Sequence, residues 1–240
     1  MPPLITLFVP CYNEAGNIEA TLDVIAEACS QTGITYEVIV IDDASKDGTP
    51  EIIRRYMNAH GEMPITLKVN EKNMGLGANF GEAAFMGSGE FYRLICGDNC
   101  EPVETLVKVF NNIGKADLIL TYRPDDVEGK SLPRKILSSS FTVLINIISG
   151  YRLKYYNGLP IFRRYDVMRW NPNSHGFGFQ ADIVTRLLDL GHTYIEIPVI
   201  GIERKDGKSK AITLLNFLSV LHSILNICIR RFSKIFYGKY

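Results

Sequence analysis

In the first half of the chain, short apolar runs alternate with stretches whose apolar residues recur every three or four positions. The runs Leu4–Val9, Val38–Ile41 with Tyr36 before it, Ile65–Val69, Phe91–Cys96 and Asp117–Thr121 predict strands. Val38–Ile41 has no polar position on either side, which places it inside a parallel sheet covered by helices. The intervening stretches predict those helices. Asn17 is the expected cap of one reaching about Ala28, with Ile18, Leu22, Ile25 and Ala26 on one face. Thr49-Pro50-Glu51 opens another, over about Ile52–Asn58, with a cap, a first-turn proline and an acid near the positive end. Further helices are expected up to about Met86, after the loop Asn70–Gly81, and over Val103–Asn112. Strands alternating with helices through short loops predict a doubly wound, mostly parallel α/β sheet.

After Arg123 the alternation loosens. Pro124–Pro133 reads as a polar loop, Ile136–Ile148 as a helix with an apolar stripe and Asn157–Phe162 as a short strand. A glycine-rich turn over Trp170–Phe179, a helix over Gln180–Leu190, a strand over Tyr194–Val199 and a charged loop over Glu203–Lys210 follow. This divides residues 1–210 into a regular half, 1–123, and an irregular half, 124–210, which builds the second side of a cleft. The remainder, 211–240, predicts one amphipathic helix from Ile212 to about Phe236, apolar at Leu214, Leu218, Leu221, Leu225, Cys228, Phe232 and Phe236. Asn216, Ser219, His222, Ser223 and Asn226 interrupt that stripe, so it is no clean membrane span. Arg230, Arg231, Lys234 and Lys239 give it a basic end suited to an anionic membrane surface; packing on its own domain or in a dimer is the alternative.

Composition narrows the picture further. With 26 basic and 26 acidic residues the chain carries no global field, which argues against a nucleic-acid binder. Five cysteines form no even disulfide framework, and Cys96 with Cys100 lacks the second cysteine or histidine pair of a structural zinc site. Reduced thiols and an intracellular, cytoplasmic setting follow as expectations. The opening Met1-Pro2-Pro3-Leu4 has no basic region before a long apolar run, so no signal peptide is expected.

The candidate chemistry collects at predicted strand ends: Tyr12 and Glu14, Asp42 and Asp43, Gly75 and Gly77, and Asp98. Open α/β sheets bind ligands beyond the carboxyl ends of their strands. There, carboxylates accept hydrogen bonds from ribose hydroxyls or a base N–H, and Asp98 beside Gly97 leaves room for a divalent cation on a diphosphate. The plainer reading is that Asp42 and Asp43 only end a strand and cap a turn. Gly75-Leu-Gly77-Ala-Asn-Phe-Gly81 is not a dinucleotide fingerprint, since its third glycine comes one place late and it follows the third strand. A phosphate loop of the G-x-x-x-x-G-K type is absent from the sequence.

Pro10-Cys-Tyr-Asn-Glu14, Ile41-Asp-Asp-Ala-Ser-Lys-Asp-Gly-Thr49, Asn73-Met-Gly-Leu-Gly77 and Asp98, in that order, resemble the family 2 glycosyltransferases of GT-A fold. The likeness is nearest to the dolichol-phosphate-mannose synthase and polyprenyl-phosphate glycosyltransferase branch. It continues through Phe179-Gln-Ala-Asp182 and Arg204-x-x-Gly-x-Ser-Lys210. The resemblance implies a GT-A-like fold and an inverting, nucleotide-sugar-dependent transferase of envelope polysaccharide or glycolipid synthesis. It implies a UDP or GDP donor, with Pro10, Tyr12 and Glu14 lining the nucleotide pocket and Asp42 and Asp43 holding base and ribose. Gly75 and Gly77 belong to the same pocket, and Arg123 stands near the donor phosphates.

Asp98 matches the second acid of the family's D-x-D motif, while Cys96 stands in place of the first. A thiol is a poor ligand for Mg²⁺ or Mn²⁺, so the cation is expected to rest on Asp98 with Asn99 or Glu101 and to bind weakly. The resemblance also gives Arg134 and Lys135 an anionic acceptor, and Arg204 and Lys210 the departing diphosphate. Asp182 takes the place of an acid before the acceptor: a base for a hydroxyl, or a positioning group for a phosphate that needs none. The implied acceptor is a polyprenyl phosphate; a soluble saccharide hydroxyl and a non-catalytic nucleotide-sugar-binding module are the alternatives. A sugar nucleotidyltransferase would want a basic, glycine-rich loop after the first strand, which Pro10–Glu14 is not. Peripheral contact with the inner face of the cell membrane is expected, homo-oligomerisation is left open, and His175 and His192 receive no role.

Overall fold

The apolar run 38–41 lies inside a strand with neighbours on both sides, as its lack of a polar face requires. The computed structural model describes residues 2–124, 132–169, 178–200 and 214–237. The elements in chain order are β1 (Ile5–Cys11), α1 (Ile18–Thr32), β2 (Tyr36–Asp42), α2 (Thr49–Ala59), β3 (Ile65–Val69), α3 (Leu76–Met86), β4 (Phe91–Leu94) and α4 (Val103–Phe110). They continue with β5 (Leu118–Tyr122), α5 (Leu132–Ser149), β6 (Ile161–Arg163), α6 (Arg164–Arg169), α7 (Phe179–Asp189), β7 (Tyr194–Pro198) and α8 (Leu214–Tyr237).

The strands form one seven-stranded sheet in the order β3-β2-β1-β4-β6-β5-β7. Every pairing is parallel except those of β6, which runs antiparallel between β4 and β5. β1 pairs with β2 on one side and β4 on the other, which puts the reversal of strand order there. A crevice at the carboxyl ends of β1 and β4 follows from that topology.

Side-chain alternation along the strands fills a core on each face. Ile5, Leu7 and Val9 of β1 meet Leu22 and Ile25 of α1 and Leu106 and Val109 of α4. On the other face Phe8, Tyr92 and Leu120 meet Phe80 of α3 and Phe179, Ile183 and Leu187 of α7. The last helix closes the second face through Ile227 and Ser223, both buried. Asp117 ties the start of β5 to Thr193 before β7, accepting from its hydroxyl at 2.7 Å and its N–H at 2.9 Å. Those bonds from Thr193, strengthened by Arg163, hold its carboxyl down to about 2.

Several local expectations change. α1 extends to Thr32 and stops at Gly33, whose φ of 65° is the left-handed conformation glycine adopts without strain. Asn17 precedes the helix but does not cap it with its side chain; its amide donates to Glu14 Oε2 at 3.0 Å. Thr49 lies inside α2, after Gly48 at φ 83°. α3 begins at Leu76, so Gly77 and Gly81 are helical rather than part of a loop. The short strand of the second half covers Ile161–Arg163, later than expected, and α6 behind it was not foreseen. The glycine-rich turn from residue 170 to 177 and the charged loop 203–210 lie outside the described residues.

Candidate functional site

The loops leaving β1 and β2 carry most of the strand-end motifs, and each holds the other in place. Asn13 N donates to Ser45 Oγ at 2.8 Å, and Lys46 N returns a bond of 2.8 Å to Asn13 Oδ1. Ala15 N reaches Asp47 Oδ2 at 3.0 Å, and Glu14 N reaches Thr49 Oγ1 at 2.9 Å. Asn13 and Ala44 take left-handed φ values of 59° and 64° to make these turns, strain that the surrounding bonds outweigh. The polar run Asp42–Thr49 is therefore first a device that fixes Tyr12 and Glu14 at the sheet edge.

Asp42 and Asp43 divide. Asp43 faces α3 and accepts from Met74 N at 2.8 Å, Gly75 N at 2.9 Å and Asn70 Nδ2 at 2.9 Å. Those bonds set the turn that starts α3 at Leu76, so the placement of Gly75 is Asp43's work. Asp42 is fully buried; its Oδ2 accepts from Ser45 N at 3.0 Å, while Oδ1 accepts nothing among the described residues. A bare buried oxygen costs about 1–3 kcal/mol, and a ligand N–H or hydroxyl would satisfy it.

The end of β4 adjoins this edge. A Cβ on Gly97 would lie 2.8 Å from Pro10 O and 3.7 Å from Glu14 Cγ, and Thr21 Oγ1 donates to Gly97 O at 3.1 Å. Beyond it Asn99 turns the chain at φ 53°. The ligand atoms of Cys96, Asp98 and Cys100 all lie within 4.8 Å of one another. A hydrogen bond that the Cys96 thiol donates to Cys100, with burial, pushes that thiol well above the usual range. Asp98 Oδ1 is buried and accepts no hydrogen bond among the described residues. An orphaned anionic oxygen between two sulfurs fits a divalent cation, which the D-x-D match implies at this place.

A cavity of about 280 Å³ opens here, lined by Cys96, Cys100, Glu101, Arg123, Asn157 and Gln180 among others. Arg123 thus lines the same cavity as Cys96 and Cys100. Glu101 is not left to the cation alone: its Oε1 accepts from Arg93 Nη2 at 2.6 Å, with Arg93 fully buried. Glu101 Oε2 and Asn157 Oδ1 are further buried oxygens with no bond among the described residues. Sequence reasoning missed Cys100, Asn157 and the Arg93–Glu101 pair. The one available signal was Arg93 itself, a charge in the otherwise apolar run Phe91–Ile95, which demands a buried partner.

Asp182 sits at the start of α7 with its carboxylate turned to α8. It pairs with Arg230, which also reaches Thr185 Oγ1 at 2.6 Å and Asp189 Oδ2 at 3.3 Å. Arg231 joins Asp189 Oδ1 at 3.0 Å and stacks over Tyr151 at 5.0 Å. Of the two readings of this basic end, membrane contact or packing on its own domain, both arginines take the second. Arg134 and Lys135 lie on α5, their side chains outside the described residues, as are Arg204, Lys210 and His175.

A seven-stranded, mostly parallel sheet with acids at its carboxyl edge and β6 reversed is a GT-A-like fold. The model of the glycosyl transferase family 2 matches residues 6–175, and the chain belongs to that family. It is 29% identical over 225 residues to a dolichyl-phosphate beta-glucosyltransferase of Trichomonas vaginalis, covering 85% of this chain and 66% of that one. It is 25% identical over 218 residues to an undecaprenyl-phosphate mannosyltransferase of Micrococcus luteus, with 86% of each covered. The chain thus spans just under two thirds of the first relative's length. Among solved structures, a Pyrobaculum calidifontis mannosyltransferase in complex with GDP-Man and Mn²⁺ shares the fold with a TM-score of 0.64 at 22% identity, covering 100% of this chain and 77% of that one. The family match ends before α7, so Asp182 lies beyond it.

Proposed function

We propose that this chain transfers a sugar from a nucleotide-sugar donor to a polyprenyl phosphate, with inversion at the anomeric carbon. The observation that carries the reading is the buried Asp98 Oδ1, without a hydrogen bond among the described residues, clustered with Cys96 and Cys100, which line a cavity with Arg123. That pairing of an acid for a cation with a guanidinium for phosphate suits a nucleoside diphosphate. The names of the two polyprenyl-phosphate relatives support the acceptor.

In this reading residues 1–123 bind the donor, 124–210 the acceptor, and 211–240 form an amphipathic appendage. Pro10, Tyr12 and Glu14 wall the nucleotide pocket; Asp42 offers its bare Oδ1 to base or ribose, and Asp43 shapes the pocket by holding Gly75 and, through α3, Gly77. Asp98, with Asn99, would hold a divalent cation, which when bound neutralises the diphosphate. Arg123, joined by Arg204 and Lys210, orients the diphosphate and stabilises its charge as it departs. The acceptor oxygen, guided by Arg134 and Lys135, forms its bond to the anomeric carbon as the bond to the donor's diphosphate oxygen breaks. One displacement of this kind inverts the centre.

Asp182 favours the phosphate acceptor over a saccharide hydroxyl. A hydroxyl needs a base, and this carboxylate already pairs with Arg230. A phosphate arrives as an anion, and Asp182 then serves to position the acceptor side. Peripheral contact with the inner face of a membrane through α5 and α8 completes the reading.

Thermal stabilisation by UDP, GDP, CMP and dTDP, each with and without Mn²⁺, tests the donor half. One nucleotide is expected to raise Tm by several degrees at saturating concentration, and Asp98→Ala to remove the cation-dependent part of that shift. No shift with any of them would overturn the donor half of this reading, and a shift without sugar transfer would leave a non-catalytic binding module as the better description.

A further inference from the structure

The metal-binding position departs from two carboxylates in a particular direction. Cys96, Asp98 and Cys100 present two sulfurs and one oxygen within 4.8 Å of one another, all three partly buried at the end of β4. Ligands about 2.3 Å (sulfur) and 2.0 Å (oxygen) from a tetrahedral ion lie about 3.3–3.8 Å apart. A small closure of the three side chains reaches that spacing. Two independent observations point to a ligand here. Asp98 Oδ1 is buried without a hydrogen bond among the described residues. Glu101, only 6% exposed, keeps Oε2 equally bare and lines the same cavity as both cysteines.

We propose that Cys96, Asp98 and Cys100 form a mixed thiolate–carboxylate site that takes a borderline-soft divalent ion of the Zn²⁺ class and rejects Mg²⁺. Sulfur ligands hold Zn²⁺ and its spectroscopic stand-in Co²⁺ strongly, while Mg²⁺ demands oxygen and dehydrates reluctantly. Three protein ligands leave a coordination position for an incoming oxygen, the pattern of catalytic rather than structural zinc. The spacing Cys-x-Asp-x-Cys puts all three on the turn that Gly97 and Asn99 shape. The inference deepens the proposed function by naming the cation class of its diphosphate site.

Co²⁺ titration of the reduced full-length chain under anaerobic conditions, without nucleotide, reads the site directly. The expected result is a sulfur-to-cobalt charge-transfer band saturating at one equivalent, displaced by Zn²⁺ and unmoved by a roughly hundred-fold excess of Mg²⁺. Cys96→Ser and Cys100→Ser should each weaken Co²⁺ binding by about ten-fold or more, while Cys228→Ser leaves it unchanged. Absence of the band in the wild-type chain, displacement by Mg²⁺, or loss of the band in Cys228→Ser would overturn the proposal. The wild-type titration decides even where a variant fails to fold. Nucleotide stabilisation measured on the same metal-free sample separates the two readings: nucleotide binding without the band defeats only the thiolate site.

Discussion

A methyl group on Gly97 would lie 2.8 Å from the Pro10 carbonyl oxygen and 3.1 Å from Cys11 Sγ. The first of these is backbone inside β1 and cannot move aside. Gly97→Ala is therefore expected to lower stability by about 1–3 kcal/mol through overpacking, and to misplace Asp98 against the loop after β1. Urea unfolding checks the first effect and nucleotide-induced thermal shift the second; an unchanged midpoint with an unchanged shift would refute the close approach. Arg123 was singled out by the family resemblance, whereas the places of Asp98 and Asp42 at strand ends were legible because the apolar runs before them locate those ends. Cys100 was not, because its meeting with Cys96 depends on the left-handed turn at Asn99, which the residue type permits but does not require. Glu101's pairing with Arg93 was hidden for the same reason.

At the scale of elements, the regular first half could be read almost strand by strand, since a buried parallel sheet writes itself as continuous apolar runs. The start of α3 could not. It depends on Asp43 capturing two backbone N–H groups across 31 and 32 residues, a tertiary bond that outweighs the glycines. α8 shows the same limit. Its stripe was legible, and its basic end was open to a membrane surface or to packing on its own domain; which of these holds for Arg230 depends on Asp182 and Asp189 of α7, which it binds. Gly178 beside it admits α8 so closely that a Cβ there would fall 2.4 Å from Ser223 Oγ. Arg230→Ala should cost about 1–3 kcal/mol, less than the removal of a fully buried partner, because Arg230 keeps 20% side-chain exposure. Hydrogen exchange over 214–237 should rise first, before global unfolding. Exchange in α8 no faster than in the wild-type chain would contradict this account of how the helix docks.

Taken whole, the molecule sets a cleft with a few polar groups at the carboxyl edge of its sheet, and two of its helices have apolar exposed faces. On α5, Ile136, Leu137 and Ile147 are 58%, 61% and 74% exposed; on α8, Ile229, Phe232 and Phe236 are 62%, 62% and 78% exposed. No helix among the described residues is long and apolar enough to cross a membrane. Apolar faces of that kind suit lying on a lipid surface. The family and fold were legible from motif order alone, since each motif marks a strand end and the strands fix their neighbours. The acceptor rested on resemblance alone, and residues 125–131 and 201–213 lie outside the described residues.

Transfer itself is the most direct test: radiolabelled GDP- and UDP-sugars incubated with the purified chain and vesicles, with or without a long-chain polyprenyl phosphate. The account predicts label in the organic-extractable lipid only when the polyprenyl phosphate is present, with a single donor base preferred and a loss of about a hundred-fold or more in Asp98→Ala. Nucleotide binding with label passing only to a soluble saccharide, or to no acceptor with any donor, would contradict it.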